Sequence, residues 1–252
     1  MSHHSDHEAE HTPEAIRRRL AAESRQGFLK DSIYGAIDGA VTTFAVISSA
    51  AGAGLSSGIV VVLGLANLLA DGFSMAMGNF SGTRAENQAT LKARKEEELE
   101  IEEYPEGERE EIRQIFAAKG FEGEVLDEIV AVITADRDRW LDTMMQEEHG
   151  QAGPLPAAWK AAGATFIAFL VIGSIPLLPF LIDLGGAGLL GNPFWPACLL
   201  TGLAFFAVGA VKGRVVDQHW ALGGAETLGI GALAAGMAYA VGALLRPLAD
   251  GI

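Results

Sequence analysis

The sequence predicts an all-α membrane protein with five transmembrane helices and a cytoplasmic three-helix domain inserted between spans two and three. Half of the 252 residues are hydrophobic, which is high for a soluble chain of this length. Charged residues concentrate in the first 31 positions and in residues 84–149, and long uncharged runs fill the rest. The predicted segments are a cytoplasmic polar tail (1–27), spans one and two (28–82), an acidic metal-binding domain (83–156) and spans three to five (157–252).

The net charge of the chain indicates which class of molecule it can bind. The formal net charge is −14, whereas nucleic-acid binding requires basic patches that displace counterions. We therefore expect no nucleic-acid partner. Abundant carboxylates instead suit hard or borderline cations.

The N-terminal tail is polar and holds four of the six histidines within its first 11 residues. This composition indicates either a disordered tail or a loose metal-collecting arm. A basic amphipathic stretch follows, from Ala15 to Arg25. The acidic start excludes a cleavable signal peptide, which needs a basic start and an early apolar core.

Spans one and two contain two buried acids. The 32 residues from Gly39 to Ala70 carry no charge, and glycines and serines at 52–58 predict a turn within them. Two spanning helices need about 20 residues each, so they must extend past Asp38 and Asp71. Counted from the turn at about 1.5 Å per residue, both acids lie roughly 20 Å away, at a matched depth inside the membrane.

Carboxylates inside a membrane are costly and by default mark an ion or proton pathway. Asn67, Asp71 and Met75 follow each other at intervals of four and share one face of span two. With Asp38 they offer two carboxylates, an amide oxygen and a thioether, which suit a borderline divalent transition metal better than Mg²⁺ or Ca²⁺. The alternative makes Asp71 a hydrogen-bonding partner between helices and Met75 ordinary core.

The inserted domain is predicted as three helical stretches. Residues 83–103 continue span two as a polar helix, and Pro105 begins a second helix that Gly120 ends. The third stretch carries regularly spaced apolar residues between Val125 and Met144.

The insertion is unusually acidic, with ten glutamates against one basic residue between positions 96 and 111. Composition alone favours a solvated charged face. Pairs of glutamates three residues apart share a helix face, however, and a Met-Met-x-x-Glu cluster ends the third stretch. We therefore favour metal capture, and the predicted ligands are Glu97, Glu100, Glu108, Glu111, Met144, Met145 and Glu148.

Three further spans complete the chain. The third is predicted over 161–182, the fourth from about Pro193, and the fifth over 222–245. Glu226 lies in the first turns of the fifth span. It is interpreted either as a proton site or as an ion-pair partner of Lys212.

Lysines and arginines predict the orientation. They lie before span one, in the insertion and between spans four and five, which is one side in a five-span arrangement. The opposite links, around Gly54 and Gly188, have none, and only Arg246 opposes the bias. The N-terminus and the inserted domain are therefore predicted to be cytoplasmic, with the C-terminus on the other side.

Four motifs are specific in combination. They are YGAIDGAVTTFA (34–45), GLANLLADGFSMAMGNF (64–80), WLDTMMQEE (140–148) and PLLP (176–179). They resemble the vacuolar iron transporter family, and the resemblance covers residues 28–249. It implies a homodimer in the lipid bilayer, with a pore at the dimer interface that is lined by spans one and two. It also implies export of Fe²⁺, often Mn²⁺ or another divalent metal such as Zn²⁺, in exchange for protons. No tightly bound cofactor is expected, because the metal is both substrate and domain ligand.

The resemblance carries over to individual residues. The family's pore aspartate matches Asp38, its pore methionine matches Met75, and its domain ligands match the glutamates and methionines named above. One position departs from the pattern, since plant-like members carry a glutamate at Asn67 and a small residue at Asp71. The carboxylate is thus displaced by one turn, about 6 Å toward the cytoplasm. This indicates a bacterial-type member and a bacterial inner membrane.

Two other functions are considered. A membrane-anchored metal buffer or sensor would need the acidic domain but not the buried acids. A ferroxidase-like enzyme would need paired Glu-x-x-His motifs, and the insertion has a single histidine, His149, at its edge. Because the sequence also lacks phosphate-loop, nucleophile-elbow and HExxH motifs, we expect no enzymatic activity.

Overall fold

The computed structural model describes residues 12–21, 26–151, 153–186 and 190–249, and within them all regular secondary structure is helical. The histidine-rich tail and the link around Gly188 lie outside the described residues. The helices are α1 (Pro13–Ala21), α2 (Gln26–Gly52), α3 (Ser57–Glu103), α4 (Pro105–Ala118), α5 (Gly123–Thr134), α6 (Arg137–Glu147), α7 (Ala158–Gly173), α8 (Leu178–Gly185), α9 (Phe194–Val215) and α10 (Trp220–Ala249).

Five segments are long and apolar enough to cross a membrane, which confirms the prediction of five spans. They are Phe28–Gly52, Ser57–Glu103, Ala158–Gly185, Phe194–Val215 and Trp220–Leu248. The turn between the first two contains Gly54 at φ +74°, a conformation that glycine adopts without a steric penalty. Helix α3 continues without a break from the second span through the polar stretch predicted over 83–103.

The third span is interrupted at the PLLP motif. Pro176 and Pro179 lack the backbone N–H that a continuous α-helix needs. Helix α7 therefore ends at Gly173, a single 3₁₀ turn follows over Ile175–Leu177, and α8 begins at Leu178. The turn is fully packed, since Leu177 is completely buried.

Glycines allow the spans to approach closely. A Cβ on Gly39 would lie 2.5 Å from the backbone oxygen of Phe169, so α2 and α7 meet backbone to backbone there. A Cβ on Gly223 would lie 2.5 Å from the oxygen of Gly209, which joins α10 to α9 in the same way. Such small-residue contacts are the usual basis of helix packing in membranes. The buried core comprises Ala40, Phe44, Ile47, Ala50, Val60, Val61, Leu68, Phe169, Leu177, Phe180, Ala197, Phe205 and Ala235.

The described chain forms two compact units, and the boundary between them falls within α3. The acidic unit contains residues 82–156, and the membrane unit contains the described residues of 24–81 and 157–252. The acidic unit has a hydrophobic core of its own, built from Ile101, Ile112, Leu126, Val130, Ile133, Trp140, Leu141, Met144 and Met145. The prediction of one helical stretch between Val125 and Met144 was wrong, because α5 and α6 are separate helices. Asp136 starts the second of them, since its carboxylate accepts a hydrogen bond from the backbone N–H of Arg139 at 2.8 Å.

Candidate metal sites

The membrane unit brings the two predicted acids together. Helix α2 carries Asp38, helix α3 carries Asp71, and their carboxylates lie close enough to repel each other. Both side chains are half-buried. No lysine, arginine or histidine in the described part of the chain forms an ion pair with either of them. The two acids, which were predicted to lie at the same depth, are therefore neighbours in the structure.

Asn67 and Met75 flank Asp71 on α3. The Nδ2 atom of Asn67 is buried without a hydrogen-bond partner, a state that costs about 1–3 kcal/mol for a polar group. Turning the amide by 180° would place its oxygen at this position instead. Met75 is partly buried and packs against the membrane core. Their roles as ligands stay predictions.

Three polar residues that join neighbouring spans were missed by the sequence reasoning. The Nδ2 of Asn79 donates hydrogen bonds to Asp31 Oδ1 at 3.0 Å and to Thr165 Oγ1 at 2.7 Å. These bonds join α2, α3 and α7. The spacing contained a signal, because Asp31 precedes Asp38 by seven residues and Asn79 follows Asp71 by eight. Each pair therefore shares a helix face across two turns.

In the other unit, the structure brings the five predicted glutamates of the acidic domain together. Glu97 lies near the end of α3, and Pro105 begins α4, which carries Glu108. The side chains of Glu97 and Glu108 lie within hydrogen-bonding reach of each other. The charges of Glu100, Glu111 and Glu148 also act on Glu97.

The two central glutamates are buried with unsatisfied oxygens. Glu97 is 1% exposed and Glu108 is 5% exposed, and one carboxyl oxygen of each lacks a hydrogen-bond partner among the described residues. Burial raises the pKa of Glu108 to about 8, and the hydrogen bond and charges of its neighbours add to the effect. Burial also raises the pKa of Glu97 and of Glu111. Buried carboxylates are costly unless a cation compensates them, so this arrangement fits a divalent metal as cargo.

The predicted methionine ligands lie in the core of the acidic unit. Met144 is fully buried and Met145 is 4% exposed, packed with Trp140 and Ile112. Their role as metal ligands stays a prediction.

Glu226 forms an ion pair with Lys212, which was one of the two roles predicted for it. Its Oε2 lies 3.0 Å from Nζ of Lys212, which links α10 to α9. Both side chains are only partly buried, so the pair contributes at most about 1 kcal/mol. The proton-site interpretation stays a prediction.

Comparison with known proteins agrees with the resemblance inferred from the motifs. Residues 29–243 match the VIT family. A vacuolar iron transporter of Toxoplasma gondii is 30% identical over 249 residues, covering 96% of this chain and 78% of the relative. Vacuolar iron transporter 1 of Tulipa gesneriana is 31% identical, covering 84% and 85% of the two chains, and that of Arabidopsis thaliana is 30% identical, covering 86% of each. The chain therefore belongs to the VIT family, whose members are transporters and not enzymes.

Proposed function

We propose that this protein carries Fe²⁺, with Mn²⁺ as a second substrate, out of the cytoplasm in exchange for protons. The relatives are named as iron transporters, which supports iron as the cargo. The observation that carries the proposal is the pair of neighbouring carboxylates, Asp38 and Asp71, on two membrane spans without a basic partner among the described residues.

The physical route to exchange is competition for the same oxygens. Two carboxylates at close range in a medium of low dielectric constant cannot both remain charged without a cation. Either a divalent metal or protons must compensate them, and metal binding requires that the protons leave. A metal that enters from one side and protons that enter from the other would thus displace each other.

We include a homodimer in the proposal. In a single copy Asp38 and Asp71 remain half-exposed, and lipid cannot solvate a carboxylate. A second copy that covers this face would enclose the acids in a polar pathway at the dimer interface, lined by the first two spans of both protomers. Leu69 and Phe73, which flank Asp71 on α3, are 58% and 60% exposed and would supply apolar contacts to that partner.

The acidic unit would take up the metal before transport. Its glutamates offer oxygen ligands to a cation from the cytoplasm, which fits the orientation predicted from the lysines and arginines. We accordingly propose a cytoplasmic N-terminus and acidic domain, a C-terminus on the opposite side, and a bacterial plasma membrane as the location.

A flux assay tests the proposal. Reconstituted vesicles with an acidic interior should accumulate Fe²⁺, and the substitution Asp38→Asn should abolish uptake because it removes one ligand charge without changing the volume. Asp217→Asn is the matched control. Asp217 is exposed between the last two spans at φ +54°, a conformation that asparagine tolerates well. Undiminished pH-driven uptake by Asp38→Asn would refute the mechanism, and an absence of pH-driven uptake by the parent protein would favour the anchored buffer or sensor.

A further inference from the structure

His149, which the sequence reasoning assigned to the edge of the acidic domain, lies against its most buried glutamate. Its Nε2 atom is 3.4 Å from Oε2 of Glu97. One ligand atom each from Glu97, Glu148 and His149 lie within 4.8 Å of one another, so all three could contact one metal ion. The group therefore combines two carboxylates with an imidazole nitrogen.

The backbone holds His149 in this position. It directly follows Glu148, whose N–H donates a hydrogen bond to the carbonyl of Met144 at the end of α6. The chain then turns through Gly150 at φ +64°, and the N–H of Gln151 donates to the carbonyl of Met145 at 2.9 Å. The imidazole is thus presented by a closed turn whose ends are bonded to the helix.

A simple ion pair between His149 and Glu97 does not account for the group. The contact involves only one oxygen of Glu97, and the other is buried without a partner, as is one oxygen of Glu108. Two cations of the same unit are engaged in other pairs, since Lys119 pairs with Glu147 at 2.5 Å and Arg109 with Glu106 at 2.6 Å. One imidazole cannot compensate the five carboxylates of the cluster, whereas a divalent ion would use the free oxygens.

We propose that His149 is a nitrogen ligand of the metal site in the acidic domain, acting with Glu97 and Glu148 to favour borderline transition metals. The inference rests on the proposed function, in which these glutamates take up the cargo metal. Imidazole nitrogen prefers Fe²⁺, Co²⁺, Ni²⁺, Cu²⁺ and Zn²⁺, whereas a site of carboxylates alone suits Mg²⁺, Ca²⁺ and Mn²⁺. His149 would therefore discriminate iron from the more abundant hard cations before transport begins.

The test is metal binding to the full chain in detergent, without transport. The four tail histidines would also bind metal, so the parent for this experiment carries His3→Gln, His4→Gln, His7→Gln and His11→Gln. Co²⁺ and Mn²⁺ affinities are measured by titration calorimetry for the parent and for His149→Gln. His219→Gln, at the only other remaining histidine, is the matched control.

We expect His149→Gln to weaken Co²⁺ binding about tenfold or more and Mn²⁺ binding less than about threefold. We expect the control to change neither. Pulsed electron paramagnetic resonance of bound Cu²⁺ supplies a direct readout, because a coordinated imidazole modulates the signal through its remote nitrogen. That modulation should be present in the parent and absent from His149→Gln.

Equal losses for Co²⁺ and Mn²⁺, or an imidazole signal that is missing from the parent or unchanged in His149→Gln, would overturn the inference. A double variant, Glu97→Gln with Glu108→Gln, separates this failure from that of the proposed function. If the double variant loses metal binding while His149→Gln does not, the glutamate site stands and the role of His149 falls. If the double variant binds metal normally, both the glutamate site and the role of His149 are refuted. The Asp38→Asn flux assay then still tests the proposal of transport.

Discussion

Glu108 provides the sharpest quantitative test of the acidic site. Its side chain is 5% exposed and faces Glu97, and burial raises its pKa to about 8. A carboxyl with that pKa keeps its proton in about 90% of molecules at pH 7, and a metal ligand must lose it. Metal binding at pH 7 should therefore release about one proton from Glu108, and more if Glu97 contributes.

The apparent affinity for the metal should depend on pH, because the same proton must leave Glu108 before the metal binds. Below the pKa of Glu108 each unit of pH should change the apparent affinity about tenfold per proton released, and the dependence should flatten above about pH 8. The substitution Glu108→Gln keeps the side-chain volume and removes the titrating group. At pH 7 it should lower proton release by about 0.9 per metal ion bound.

Titration of the full chain in detergent with Mn²⁺, in buffers of different protonation enthalpy, measures the number of protons released. Glu106→Gln is the matched control, because Glu106 lies on the same helix, is 85% exposed and pairs with Arg109. We expect parental behaviour from the control. Equal proton release by the parent and Glu108→Gln, or release near zero from the parent, would refute the assignment.

The same substitution should act on stability with a defined sign. The pKa of Glu108 is raised from 4.5 to about 8 by folding, so in that window the folded state binds more protons than the unfolded state. The metal-free protein should therefore lose stability as pH rises from about 4.5 to 8. Glu108→Gln should raise the thermal midpoint of the metal-free protein at pH 8 and leave it nearly unchanged at pH 4. A lower midpoint at pH 8 would contradict this account.

Three further substitutions test the packing, each read out by thermal unfolding. Asn79→Leu removes the bonds that join three spans and should cost about 1–2 kcal/mol; no loss would mean that the network is not structural. Gly39→Ala should destabilise by about 1–3 kcal/mol, because its Cβ meets a neighbouring backbone, whereas Gly163→Ala meets nothing and should be neutral. Asp136→Ala should cost about 1 kcal/mol through loss of the helix cap, and an unchanged midpoint would argue against that cap.

Much of the membrane unit was predictable because the thickness of a bilayer sets the minimum length of a spanning helix. A span needs about 20 apolar residues, so the uncharged runs predicted five spans and placed Asp38 and Asp71 within the first two of them. Helix periodicity likewise predicted that Glu97 and Glu108 belong to one acidic hairpin. The VIT family was recognisable from motifs, since Tyr34–Ala45 and the residues around Asp71 were specific in combination.

Other features depended on contacts that no local pattern contains. The apolar periodicity between Val125 and Met144 continues across the break between α5 and α6, and only the capping bond of Asp136 shows where the second helix starts. The network of Asn79 required knowledge of which spans are neighbours, because Thr165 is 86 residues away in the chain.

By itself, the sequence determined that this chain has five segments long and apolar enough to cross a membrane, with acids inside two of them, and a glutamate-rich insertion. Those properties follow from the composition and the hydrophobic periodicity, which can be read locally along the chain. The tertiary structure decided which oxygens are buried without partners, and that His149 lies beside Glu97, 52 residues before it. Burial and ligand geometry arise from packing between helices, and so they become visible only when the helices are placed in space.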